Sequence, residues 1–400
     1  MRAMRSAKHQ ERRAMANADF ERIEAAWTAG GVAGALEALC EQLRAGKKHH
    51  ELFEALKMRV RHRIGLPLLY GDGSDELDES QRVKLEDGLI EACREVGTLL
   101  MNQGRVREGW MYLRPVGDKK AAAHMLSTIE PDEDNMEELI EVCLREGVDV
   151  ARGFGLVLKN YGTCNAITTF EGEIPRQSRA DQQAATALLV EHLHAELFAN
   201  LRTDIGRQEG AAPAETTLAG LVADRPWLFQ EMTYHVDTTH LSSVVRFARL
   251  SETPAVLRLA LDLTEYGRRL HSQFQYPGDE PFTENYPAHA LFFAALLGER
   301  VEESLAYFRQ RAESADLQQV GTVPIEVYVD LLARCGQPAT AIDESLRLMP
   351  AGQQGVGIAP TLLDLAERAG KYDRVQTHCR ERQDLLGFTA ALVQAARRVR

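Results

Sequence analysis

LLARCGQPATAIDESLRL, residues 331–348, reads as two short helices joined at a glycine. The segment leading into it, VPIEVYVDLLARCG (323–336), repeats its apolar residues at i, i+3, i+4 and i+7, the spacing of one helix face. Gly336 ends that face, with Arg334 two residues before it and the small apolar Ala341 five after. The same arrangement recurs in LAERAGKYDRVQTHCRER (365–382), where Arg368, Gly370 and Val375 hold the corresponding places. The hinges Gly336 and Gly370 are 34 residues apart. A third copy, VGTLLMNQGRVREGWMYLRP (96–115), turns at Gly104 and carries the small residues Gly97 and Gly109. A looser fourth, AALLGERVEESLAYFRQR (294–311), turns at Gly298. Hairpins of this kind cannot bury their apolar faces alone and must stack on their neighbours.

These copies resemble the tetratricopeptide family of helical-repeat proteins over residues 90–130 and 285–390. The family's aromatic near the start of its first helix is missing. Its close-packing alanine is replaced by Gly109 and Val375. The resemblance implies an α-solenoid of right-handed stacked antiparallel helix pairs. Its concave inner face would bind a peptide or partner protein, as is common in that family. No catalytic residue comes with it.

Helical period runs through almost all the remaining sequence, including ADFERIEAAWTAG, NMEELIEVCLREG and DQQAATALLVEHLHAELFANLRTDIG. The protein is therefore expected to be all-α. TCNAITTFEGEI (163–174) is the one stretch rich enough in Thr and Ile to be extended. Four parts follow: a flexible basic lead-in at 1–18, N-terminal hairpins at 19–151, an irregular central segment at 152–240, and C-terminal tetratricopeptide-like hairpins at 241–400. A long loop, SQFQYPGDEPFTENYP (272–287), interrupts the last of these with Tyr276, Phe282 and Tyr286 among prolines.

Composition narrows the function. Apolar and charged fractions of 44% and 26% belong to a folded, soluble chain. A formal charge of −12 argues against broad contact with nucleic acid; the basic residues cluster at the ends, in MRAMRSAKHQERR and RRVR. No apolar run spans a bilayer, so no membrane partner is expected, and no apolar segment follows the basic start as in a secretory signal. The six cysteines are scattered without a CxxC pair, which fits reduced thiols in the cytoplasm.

Two clusters could carry chemistry. TYHVDTTHLSSVVRF (233–247) brings His235, Asp237 and His240 within six positions, and Asp237 is placed to cap the helix that follows. A preceding helix is expected from Asp224 through Pro226 and Trp227 to about Tyr234. EHLHAELFANLR sets Glu191 and His194 at i, i+3 and His192 and Glu196 at i, i+4. Four of the twelve histidines thus lie within residues 192–240, each with a carboxylate at ligand-compatible spacing. Were they to converge, His235, Asp237 and His240 with His192, His194 or Glu196 would suit a divalent metal such as zinc, manganese or iron. A vacant coordination position there would activate water. Cys164 and Glu171 are the candidate catalytic residues beside them, Cys164 as a nucleophile or as a small buried hydrophobe. No phosphate loop, GxSxG elbow or HExxH motif is present. The repeats favour an interaction module binding a peptide or protein; the alternative is a metal-dependent hydrolase or isomerase on a helical scaffold.

Overall fold

All four hinge glycines occupy left-handed backbone in the computed structural model, with φ of 75° at Gly104, 78° at Gly298, 78° at Gly336 and 67° at Gly370. That region is costly for residues with a Cβ, which explains the residue type. The residue after each glycine donates its N–H to the carbonyl five positions back. The pairs are Arg105 to Leu100, Glu299 to Ala294, Gln337 to Leu332 and Lys371 to Ala366, at 2.8–3.1 Å. This Schellman closure satisfies the last carbonyls of one helix and releases the chain to start the next.

The structure describes residues 2–68, 77–230, 232–350, 353 and 355–398, with 2–17 and 398 described through their backbone alone. The side chains of the basic clusters at 1–13 and 398–400 lie outside the described residues. Among these residues there is no β-strand, and the protein is all-α. No helix among them is long and apolar enough to cross a membrane. The chain divides into two compact units, Met1–Val157 and Leu158–Arg400.

The first unit contains α1 (Arg2–Ala45, broken at Gly31), α2 (His49–Arg63), α3 (Glu79–Met101), α4 (Val106–Leu113), α5 (Lys119–Ser127), α6 (Met136–Ile140) and the start of α7 (Val150–Glu173). Its core joins Cys40 of α1, Leu52 and Leu56 of α2, and Val96 and Leu100 of α3. The small residues of the third hairpin copy have a direct cause. A Cβ on Gly97 would lie 2.6 Å from Leu113 Cγ, and one on Gly109 2.7 Å from Met101 Cγ and 3.0 Å from Met101 N. The α3 and α4 backbones meet at these two glycines, closer than side chains would allow.

The second unit takes the rest of α7, then α8 (Arg179–Glu209), α9 (Leu218–Ala223), α10 (Thr238–Phe247), α11 (Pro254–Gly267), α12 (Asn285–Leu296) and α13 (Val301–Ser314). It continues with α14 (Leu317–Val320), α15 (Val323–Arg334), α16 (Pro338–Leu348), α17 (Leu362–Ala369), α18 (Tyr372–Glu381) and α19 (Leu385–Arg398). From α15 onward each helix packs on its neighbour in sequence. The loop after α11 is anchored by its aromatics: Phe282 and Tyr286 are buried, and Phe282 stacks on His289 with ring centroids 4.2 Å apart.

Two sequence expectations are corrected. Residues 163–174 are not extended but helical, forming the end of α7 after a break at Gly162 and running into a 3₁₀ turn, Ile174–Arg176. Ala166, Phe170 and Ile174, spaced by four, are all buried. Burying that stripe outweighs the few tenths of a kcal/mol that each β-branched residue loses in a helix, roughly ~1.5–3 kcal/mol for Phe170 alone. The segment after Asp224 is a 3₁₀ turn, Pro226–Phe229, and not a helix to Tyr234. Leu228 alone is buried there, so no apolar stripe holds a second turn together.

Candidate functional site

The sequence clusters separate in space along α8. His235 is 5% exposed, with Nε2 3.3 Å from Asp204 and Nδ1 3.0 Å from the Tyr266 hydroxyl, which also accepts the His235 backbone N–H at 2.9 Å. Burial lowers the His235 pKa, partly opposed by Asp204. His194 instead pairs with Asp262 of α11 at 3.3 Å, and His192 with Glu196 at 3.9 Å on the exposed face of α8. Ten residues separate His194 from Asp204, about 15 Å of helix at 1.5 Å per residue. Asp237 caps α10 as expected, accepting from Thr239 N at 2.9 Å and His240 N at 3.1 Å. Among the described residues no group of three or more His, Cys, Asp or Glu could hold a metal ion. Cys164 is exposed.

Glu171 has a different setting. It lines a cleft of about 620 Å³ in the second unit, to which six separate segments contribute. The end of α7 gives Phe170 and Glu171; the start of α8 gives Arg179. The end of α10 and the 3₁₀ turn after it, Ala248–Leu250, give Arg246, Phe247 and Arg249. Asp330 of α15 and the backbone at Gly357 and Ile358 complete the wall. Phe170 stacks on Phe247 with centroids 4.1 Å apart and planes 17° from parallel, and Phe292 lies beside them in the floor.

Most charges at this cleft are matched. Arg246 donates to Glu171, and Arg179 to Glu252 at 3.5 Å. Arg334, behind the wall, pairs with Asp330 at 3.4 Å and donates to the carbonyls of Arg249 and Ser251. Burial raises the Asp330 pKa and lowers that of Arg334, and their contact offsets both shifts. Arg249 differs. Its Nε donates to the Arg246 carbonyl at 3.0 Å and its guanidinium lies 4.6 Å over the Phe282 ring, but among the described residues no carboxylate forms an ion pair with it, and Asp279 acts on it only from farther off. Burial, reinforced by Arg246, pulls its pKa down to about 10, so it remains charged at neutral pH.

The loop forming one wall is held by a buried carboxylate. Glu326 accepts from the Thr322 hydroxyl at 2.6 Å and from the backbone N–H groups of Val356, Gly357 and Ile358 at 2.7–2.9 Å. Burial alone would raise its pKa; the hydrogen bonds from Thr322, Val356, Ile358 and Gly357 outweigh that and hold it below the usual carboxylate range.

Sequence reasoning missed Arg249, Arg246, Arg179 and Asp330. The one local signal is RFARL (246–250), which places two arginines in an apolar run just after the histidine-rich stretch. Compared with protein-family models, with curated proteins and with solved structures, the chain matches none.

Proposed function

We propose that this chain is a helical-repeat interaction protein and that the cleft in its second unit receives a segment of a partner polypeptide. The observation that carries this reading is the make-up of the cleft: aromatic side chains and arginines share its lining, in a volume suited to docked side chains. The stepwise packing of α15 through α19 across Schellman turns supports stacked hairpins as the scaffold. Catalysis is disfavoured by the lining, which holds no His, Cys, Ser, Thr, Tyr or Lys. Its two carboxylates, Glu171 and Asp330, are both paired with arginine.

A random-peptide display selection against the full chain tests this directly. Leu250→Trp places an indole in the cleft mouth. Selected peptides should bind this variant at least tenfold more weakly while its unfolding midpoint stays close to wild type. Equal affinity for wild type and variant would remove the cleft from the binding reaction.

A further inference from the structure

We propose that the cleft recognises a carboxylate carried beside an aromatic or branched apolar side chain, with Arg249 as its anchor. The proposal rests on the cleft being a docking site and names the chemistry it selects.

Orientation comes first. The Arg249 side chain is fixed at Nε by the Arg246 carbonyl and on one face by Phe282, itself backed by His289. Its own carbonyl is held by Arg334 at 2.8 Å. Among the described residues the two terminal amino groups have no hydrogen-bond acceptor, which leaves the fork that matches a carboxylate in two parallel hydrogen bonds. A partly buried cation without an ion pair loses hydration on folding, and a bound anion offsets that loss. Arg249 therefore has a defined place, an unused fork and no ion pair.

Charge bookkeeping selects the kind of anion. Arg179, Arg246 and Arg334 are ion-paired with Glu252, Glu171 and Asp330, which leaves Arg249 the one of these four arginines without an ion pair, with Asp279 acting on it from farther off. A carboxylate fits that fork with a single negative charge; a dianionic phosphate would set twice the charge against Glu171, Asp330 and Asp279. The stacked Phe170–Phe247 pair and Phe292 supply an apolar surface beside the anchor. Together they describe either an Asp or Glu next to an aromatic residue, or a chain terminus ending in one.

The test uses the full chain and four small probes. N-acetyl-Ala-Phe carries a terminal carboxylate and N-acetyl-Asp-Phe-amide an internal one. N-acetyl-Ala-Phe-amide is neutral, and phenyl phosphate is a dianion. Phenylglyoxal, which attacks the uncharged guanidine, should label Arg249 early because burial lowers its pKa; labelling is read by peptide mass spectrometry. At ten times its dissociation constant a carboxylate probe should slow Arg249 labelling about tenfold, by simple occupancy. The neutral amide should leave it unchanged, and protection by the terminal or the internal probe assigns the source. Equal protection by the neutral amide, or stronger protection by phenyl phosphate than by both carboxylates, overturns the proposal. Arg249→Met supplies an independent arm: its ligand-free unfolding midpoint should equal or exceed that of wild type, and the carboxylate probes should no longer raise it. A ligand-dependent midpoint retained in that variant also overturns the proposal. Should the probes fail while Leu250→Trp still abolishes binding of selected peptides, the carboxylate assignment falls and the docking cleft stands.

Discussion

Glu326→Gln removes one charge and almost no volume from a residue that is 4% exposed. In the native protein Oε1 accepts from the Thr322 hydroxyl and Val356 N, and Oε2 from Gly357 N and Ile358 N. With the NH₂ group in the place of Oε1, the Thr322 hydroxyl can turn to accept from it and Val356 N alone loses its acceptor; in the place of Oε2 it would strand both Gly357 N and Ile358 N, so the first orientation is favoured. An unsatisfied donor of this kind costs about 1–3 kcal/mol, so the variant should lose about 1–3 kcal/mol. Because Gly357 and Ile358 line the cleft, amide exchange at 356–358 should accelerate and peptide affinity should fall with stability. The pH dependence has a fixed sign. The folded pKa of Glu326 is depressed, so its contribution is complete above the unfolded value of about 4.3 and is lost as pH falls through the folded value. Urea unfolding of both proteins, with hydrogen exchange read at single residues, measures each effect. A stability within about 0.5 kcal/mol of wild type, with exchange at 356–358 unchanged, would refute the clamp.

Three further outcomes follow from the packing and burial. Gly109→Ala should destabilise by about 1–3 kcal/mol by overpacking against Met101, despite alanine's better helix propensity, whereas Gly172→Ala should gain about 0.5–1 kcal/mol because nothing lies within 4 Å of the new Cβ; thermal or urea melts of the pair decide this. His289→Phe should move acid unfolding to lower pH. Burial, with Arg249 nearby, lowers the His289 pKa from 6.5 to about 3, so the unfolded chain binds the extra proton between those values and stability falls as pH drops through that window. The variant's pH titration of stability should be flatter between pH 6.5 and 3, and an unchanged slope would show that His289 does not stay neutral in the fold. Gly355→Ala should loosen the clamp, since its Cβ would sit 2.9–3.0 Å from the Glu326 carboxyl group, and faster exchange at Val356 is the readout.

The hairpin turns were legible in the sequence because each is fixed by one local demand. Gly104, Gly298, Gly336 and Gly370 are the residues that tolerate left-handed backbone, and the turn needs little else. Gly97 and Gly109 were legible as small residues at matched offsets, and their contact followed from the hairpin itself. Asp237 was readable as a cap for the same local reason. Residues 163–174 misled because β-branching is a weak local preference, while burial of Ala166, Phe170 and Ile174 depends on what packs against them. The histidine cluster misled through distance. Residues 192–240 are close in sequence, yet α8 is long enough to give His194 and His235 separate partners, Asp262 and Asp204. The cleft could not be read at all. Glu171, Arg179, Arg249 and Asp330 come from four segments spread over 160 positions, and only tertiary packing leaves Arg249 as the cleft's arginine without an ion pair.

The most direct measurement is the affinity of one display-selected peptide for wild type and Arg249→Met, by calorimetry, alongside the ligand-free stability of each. Binding should weaken at least tenfold while the ligand-free variant is as stable as wild type or more so, the signature of a cation kept for a ligand and not for the fold. Unchanged affinity, or a variant that loses stability without its ligand, would contradict that role for Arg249.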